Sequence, residues 1–253
     1  MRFSLVGVLL LAAAVAGAQT TSVESDAMST VVVPVVGSVT GVGGVHWRTD
    51  LELRNDQRMD VSVMLTMPAS PEANFIMLPL AAGASVRLDD VAVALGVDNG
   101  LSPLVVQTNS RKSVNIRATA YASRGTDFFP PQPIAINYGS SYFPTRVLND
   151  LSFSDAFRTN IGLANLGDAP AEFTLALQRI SGRNLAVTRI PVPANSLWHM
   201  SIQAAFPLIT SGDHFSVVVE TSAPETYVYA SVIENATNTA RFVQPTLGPP
   251  PGQ

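Results

Sequence analysis

The sequence predicts an all-β protein made of two tandem antiparallel β-sandwich domains, each carrying one short helix, and three observations carry that expectation. Charged residues make up 13% of the chain against 47% hydrophobic, with 17 Gly and 18 Pro, a balance that favours strands separated by many turns. Short segments alternate apolar and polar residues at the period of two that places one strand face in a core. The stretch Arg48-Thr49-Asp50-Leu51-Glu52-Leu53-Arg54-Asn55 returns as Arg158-Thr159-Asn160-Ile161-Gly162-Leu163-Ala164-Asn165, so the chain reads as a doubled unit.

Residues 1–18 read as a secretory signal: Arg2 opens it, an apolar run follows from Phe3 to Ala16, and Ala16-Gly17-Ala18 supplies small residues for cleavage. The run is short for a bilayer span, which needs roughly 20 apolar residues, so no transmembrane anchor is expected after cleavage and the mature chain is expected to be secreted or periplasmic. The formal charge is −4, and one unit more negative once Arg2 leaves with the signal. That balance argues against nucleic acid, which requires clustered Lys and Arg. With no cysteine, disulfides, a thiolate nucleophile and a cysteine-linked lipid are all excluded.

In chain order, residues 19–30 are small and polar and predict a disordered leader. The first sandwich is expected over 31–124, starting with Val31-Val32-Val33-Pro34-Val35-Val36, where proline suits an edge or a strand start. In the hallmark strand, Leu51 and Leu53 share the core face while Asp50, Glu52 and Arg54 share the wet one; Asn55 to Arg58 turns the chain into a partner strand, Val61 to Thr66. Phe75 to Leu80 and Ser85 to Leu88 follow as strands. Asp89-Asp90-Val91-Ala92-Val93-Ala94-Leu95-Gly96 then reads as a helix with an acidic N-cap and a glycine for the left-handed C-terminal position. Leu104 to Thr108 and Val114 to Tyr121 close the unit. Residues 125–140, with Phe128-Phe129-Pro130-Pro131-Gln132-Pro133 and Tyr138, are read as a stiff Pro/aromatic linker that packs against a domain. The second sandwich is expected over 141–245 and a disordered tail over 246–253. Between the copies Pro34 is matched with Pro144, Arg48 with Arg158, Val91 with Ile202 and Ala118 with Ala230. At the helix, Ser201 replaces Asp90 as a cap and Pro207 replaces Gly96 as a stop.

Each candidate site has a plainer structural reading. Asp89 and Asp90 could hold calcium through carboxylate oxygens, but capping is favoured because the second copy has His199, Met200 and Ser201 there, with no carboxylate. His46, His199 and His214 are the only histidines and lack close ligand spacing, so a zinc site or triad built on them is disfavoured. No Gly-x-Ser-x-Gly elbow occurs. Acidic candidates for glycoside hydrolysis, such as Glu52, Asp90, Asp213 and Glu220, are unmarked by position. Gly41-Val42-Gly43-Gly44 has no following helix or lysine, against a phosphate loop. Arg48 and Arg158 are read as ties between strands in preference to anion ligands. Trp47 and Trp198 are the two candidate stacking platforms. The ligand is sought at Trp198, His199 and Trp47, with the linker aromatics and Tyr142-Phe143 nearby. No catalytic residue, cofactor or metal ligand is assigned.

The Pro-bearing strand, the Arg-Thr-Asp-Leu-Glu-Leu-Arg-Asn segment, Val61-Ser62-Val63-Met64-Leu65, Pro79-Leu80-Ala81-Ala82-Gly83-Ala84-Ser85 and Asp89-Asp90-Val91 together resemble repeated, uncharacterised immunoglobulin-like domains of secreted bacterial proteins. The likeness covers residues 31 to 245. It implies immunoglobulin-like sandwiches. The signal, the duplication and the missing catalytic constellation lead to the expectation of a secreted, non-catalytic binding, adhesion or structural module whose partner is a protein or a cell-surface glycan. The alternative expectation is a secreted glycoside or peptide hydrolase with its site at the domain junction. An outer-membrane barrel is disfavoured by 7% aromatics without girdles.

Overall fold

The computed structural model describes residues 28–110, 114–138, 144–179 and 181–247; the expected signal, most of the leader, Tyr142-Phe143 and most of the tail lie outside them. The first half runs through β1 (Ser29–Thr40), β2 (His46–Arg54), β3 (Val61–Thr66), β4 (Ile76–Leu80), β5 (Ser85–Leu88), helix α1 (Val91–Ala94), β6 (Gly100–Thr108), β7 (Asn115–Arg124), β8 (Asp127–Phe128), β9 (Gln132–Ile134) and β10 (Asn137–Tyr138). The second runs through β11 (Thr145–Phe153), β12 (Phe157–Asn165), β13 (Ala171–Gln178), β14 (Asn184–Val192), β15 (Ser196–Ser201), α2 (Ile202–Ala205), β16 (Gly212–Glu220), β17 (Thr226–Glu234), β18 (Ala240–Val243) and β19 (Thr246–Leu247). The fold is all-β, and every strand pair is antiparallel.

In the first half β4-β3-β6-β1 form one layer, with β10 beside the start of β1; β5, β2 and β7 form the other, extended by β8 and β9. The last residues of β1 cross over to β2, Ser38 facing Arg48. Leu51 and Leu53 from one layer meet Val63, Leu65, Leu104 and Val106 from the other in one buried cluster. The second half pairs its strands in the same pattern, as β14-β13-β16-β11-β19 over β15-β12-β17-β18, around Ile161, Leu163, Phe173, Leu175, Val217 and Val219. Alternation explains both cores, because each strand presents every second residue inward.

The strand layout differs from the sequence reading at four places, and Asp50, expected on the wet face, is buried at 3% exposure. Ser29 and Thr30 pair with Thr108 and Gln107, so order starts within the expected leader. The segment read as a linker contributes β8, β9 and β10 to the first sheet, with Ala118 facing Ile134 and Ile134 only 6% exposed. Thr246 and Leu247, assigned to the tail, pair with Val147 and Arg146. The fourth concerns the match of Pro34 with Pro144. Val31 faces Val106 as Arg146 faces Val219, so β1 superposes on β11 with an offset five residues larger than the one joining β2 to β12. The extra residues form the β1–β2 connection, where Val42–Gly44 makes a 3₁₀ turn; proline identity misled the comparison.

Both helices are capped as expected. Asp90 Oδ1 accepts from the Val93 amide at 3.4 Å and Ser201 Oγ from the Ala204 amide at 3.3 Å. Gly96 ends α1 at φ +89°, in the region that favours glycine. Among the described residues no helix is long and apolar enough to cross a membrane.

Candidate ligand cleft between the two halves

The outer face of the β15-β12-β17 sheet is where the two halves of the chain diverge chemically. In the first half Glu52 faces Arg87 on β5 and Arg117 on β7, and its carboxylate lies 3.7 and 3.5 Å from their guanidiniums. All three side chains are about half exposed or more, so this is a solvated charged row. The same three ladder positions in the second half are Gly162, His199 and Tyr229. Gly162 is required by its neighbour: a Cβ there would stand 2.0 Å from Tyr229 Cε1. The Tyr229 ring therefore lies flat across β12, and its hydroxyl reaches His199 Nδ1 on the next strand at 2.8 Å. Phe242 on β18 stacks on the other side of Tyr229, centroids 5.4 Å apart and planes at 12°, and also packs against the core of the first half. Strands β9 and β18, β6 and β15, and β1 and β17 meet across this junction. An uncharged row has replaced an ionic one where the sheet faces protein instead of water.

Between the halves the junction leaves a cleft of about 390 Å³. Trp47, Leu101, Ile134, Ile233 and Phe242 give it apolar walls, and Arg48, Gln132, Arg158, Asn160 and His199 bring polar groups to it. Among the described residues no Asp or Glu lines it. Burial lowers the His199 pKa to about 4, so its ring is neutral at pH 7, and burial pushes the Tyr229 phenol up. Both members of that hydrogen bond are uncharged, as expected in a low-dielectric seam.

The two matched arginines both reach this cleft. Arg48 lies 5.4 Å above the Tyr121 ring, with Nε 3.3 Å from Asp50 Oδ1. Asp50 is 3% exposed and is shared: it also takes Arg87 at 2.7 Å and the Asp90 amide at 3.0 Å. Asp89 binds the same Arg87 at 2.6 Å, which holds its carboxyl below the usual carboxylate range. The Asp89-Asp90 pair is thus engaged in a guanidinium contact and a helix cap, and among the described residues no group of three His, Asp or Glu could hold a metal. Arg158 has no carboxylate partner among the described residues. Its guanidinium donates to Asn235 Oδ1 at 2.8 Å and Asn238 Oδ1 at 3.0 Å, both neutral, and burial works against its charge.

Of the three residues at which a ligand was sought, Trp47 and His199 line the cleft and Trp198 does not. Adjacent residues on β15 point to opposite faces; His199 faces the junction, so Trp198 turns inward beside Leu163 and packs on the core of the second half. Phe128 and Phe129 are not part of the cleft, and Phe128 is 81% exposed in its hairpin. Sequence reasoning missed Tyr229 as the partner of His199 and Phe242 as the ring stacked on Tyr229, and it preferred strand ties to anion ligands for the arginines. A signal was present, since three charges in one cross-strand row of the first half are all absent from the second.

The other histidines stand apart from the cleft. His46 Nε2 lies 3.5 Å from Ser38 Oγ, which itself donates to Asp90 Oδ2 at 2.9 Å. A nucleophilic triad needs the acid to orient the base; here the acid holds the serine, which is 2% exposed. His214 pairs with Asp150 at 2.7 Å on the surface.

Gly162→Ala is expected to expel the Tyr229 ring, break its bond to His199 and cost about 1–3 kcal/mol by overpacking. Urea unfolding would show the loss, and an NMR titration would show the His199 pKa moving back toward 6.5. A ring that stays in place with stability unchanged would contradict the row described here.

No family model matches the chain, and no curated protein matches it. Among solved structures, a calcium-binding mutant of Bacteroides uniformis β-glucuronidase 2 aligns over 83% of this chain and 27% of its own at 11% identity, with a TM-score of 0.17. The chain therefore spans about a quarter of that enzyme, and a likeness this slight carries no argument about fold family or activity.

Proposed function

We propose that the chain is a secreted, non-catalytic binding module of two tandem immunoglobulin-like sandwiches, and that its ligand lodges in the cleft between them. The observation that carries this reading is the junction cleft. Its volume of about 390 Å³ falls in the ordinary range for small-molecule sites, roughly 300–1,000 Å³, and its apolar walls carry a few convergent polar groups. The doubled strand pattern supports the tandem reading, and residues 1–18 support secretion.

A flat glycan-stacking platform on Trp198 is disfavoured because that ring is turned into a core. A hydrolase at the junction finds no support in the arrangement of Ser38, His46 and Asp90. An activity-based probe labelling one serine or carboxylate would restore it.

The test is a thermal-shift screen of residues 19–253 against small acids, alcohols and oligosaccharides, repeated with Ser231→Trp. Ser231 lines the cleft without belonging to either core cluster. A binder raises the melting temperature with the logarithm of its concentration above Kd, and the tryptophan is expected to abolish the shift by filling the space. Hits that survive Ser231→Trp would place binding elsewhere.

A further inference from the structure

We infer that the ligand of the cleft is a small amphipathic acid, an apolar body bearing one carboxylate; this inference rests on the binding reading above and specifies its chemistry. The first observation is the sign of the lining. The protein carries 19 acidic against 15 basic residues, yet the cleft walls include Arg48 and Arg158 and no carboxylate. An anionic protein with a cationic, apolar hollow presents a local potential opposite to that of the chain as a whole, and a cleft focuses such a potential.

The second observation is that the charge there is under-compensated. Asp50 is the carboxylate that serves Arg48, and it also binds Arg87 more closely, at 2.7 Å against 3.3 Å. Arg48 Nε is buried and, beyond its 3.3 Å approach to Asp50, makes no hydrogen bond among the described residues. Among the described residues Arg158 is held by two amide oxygens, which orient a guanidinium without neutralising it, while burial works against its charge. A partly desolvated guanidinium gains most from an anion that can accept two parallel N–H bonds, and a carboxylate has that geometry.

The third observation sets the body of the ligand. The walls contributed by Trp47, Leu101, Ile134 and Phe242 reward an aliphatic or aromatic group, whereas the polyhydroxyl surface of a sugar would leave its hydroxyls unpaired against them. His199 and Tyr229 satisfy each other and make no demand for charge on the ligand. The two ends of the site thus ask for different chemistry, and an amphipathic acid supplies both.

The test uses octanoate and 1-octanol with the mature chain, followed by calorimetry. Octanoate is expected to bind at least about tenfold more tightly than octanol, since hydrogen bonds to charged groups contribute about ten- to hundred-fold in affinity, and to weaken as salt is raised. Arg158→Gln should remove most of that preference and Arg158→Lys should restore part of it. Because Arg158 also steadies the β17–β18 turn, Arg48→Gln serves as an independent variant and should reduce the same preference. Octanoate and octanol binding equally, with both lost in Ser231→Trp, would overturn the acid while leaving the cleft as the seat. Octanoate failing to bind at millimolar concentration would overturn the acid too, and the wider thermal-shift screen would then decide the binding reading separately.

Discussion

Asn165→Asp is expected to destabilise the second half by about 3–5 kcal/mol, the cost of leaving a buried charge without a partner. Asn165 is 0% exposed. Its Nδ2 donates to the carbonyls of Ala169, Val192 and Pro193 at 2.8, 3.2 and 3.0 Å, and its Oδ1 accepts from the Gly167 amide at 3.1 Å. One amide therefore closes the turn after β12 and pins it to the end of β14. Aspartate keeps the shape but turns an acceptor toward three acceptors. Asn165→Ala should cost less, about 2–3 kcal/mol, because it orphans those groups without adding charge. Asn55 makes the same set of bonds, to Met59, Leu80 and Ala81 at 2.8, 3.0 and 3.1 Å and from the Gln57 amide at 3.0 Å, so Asn55→Asp should behave alike. Urea unfolding at pH 7 measures all three, and an Asp variant within about 1 kcal/mol of the parent would contradict the account, since ordinary surface changes stay within about half that.

Acidification should weaken the protein through His199. Its folded pKa of about 4 lies below the value near 6.5 of an unfolded histidine. Between those values the unfolded chain binds a proton that the folded chain refuses, so stability falls as pH drops from about 6.5 to about 4 and this group adds no further change below that. A shift of this size corresponds to at most about 3 kcal/mol at 1.36 kcal/mol per unit, and about 2 kcal/mol is expected because His199 sits at the edge of a solvent-connected cleft. Carboxylates contribute their own acid dependence, so the comparison is with His199→Gln, which keeps a partner for the Tyr229 hydroxyl and does not titrate. The parent should lose about 2 kcal/mol more than the variant between pH 7 and pH 4.5. Equal losses would show that His199 is not held neutral at the junction.

The sandwich cores were legible because alternation is a local property. Leu51 and Leu53, Val61, Val63 and Leu65, and their counterparts face inward as their period requires. The caps at Asp90 and Ser201 were legible for the same reason, since a cap is a contact with the next turn. What escaped was non-local. Residues 125–140 looked like a linker because of the Phe128-Phe129-Pro130-Pro131-Gln132-Pro133 run, yet the β7 and β1 edges offered unpaired backbone, and β9 and β10 took it up. The junction was hidden because no single residue announces it. Gly162 alone reads as a weak strand position, Tyr229 as one aromatic among several, and His199 as an isolated imidazole. Only the cross-strand register joins them into one row, and register spans 30 residues between His199 and Tyr229.

The measurement that tests the central claim most directly is a two-dimensional NMR titration of isotope-labelled residues 19–253 with octanoate. The account predicts that the Trp47 indole N–H of the first half and the His199 and Ser231 amides of the second shift together along one binding curve, because the seat is shared between the halves. Shifts confined to one half, or to loops away from the junction, would contradict it.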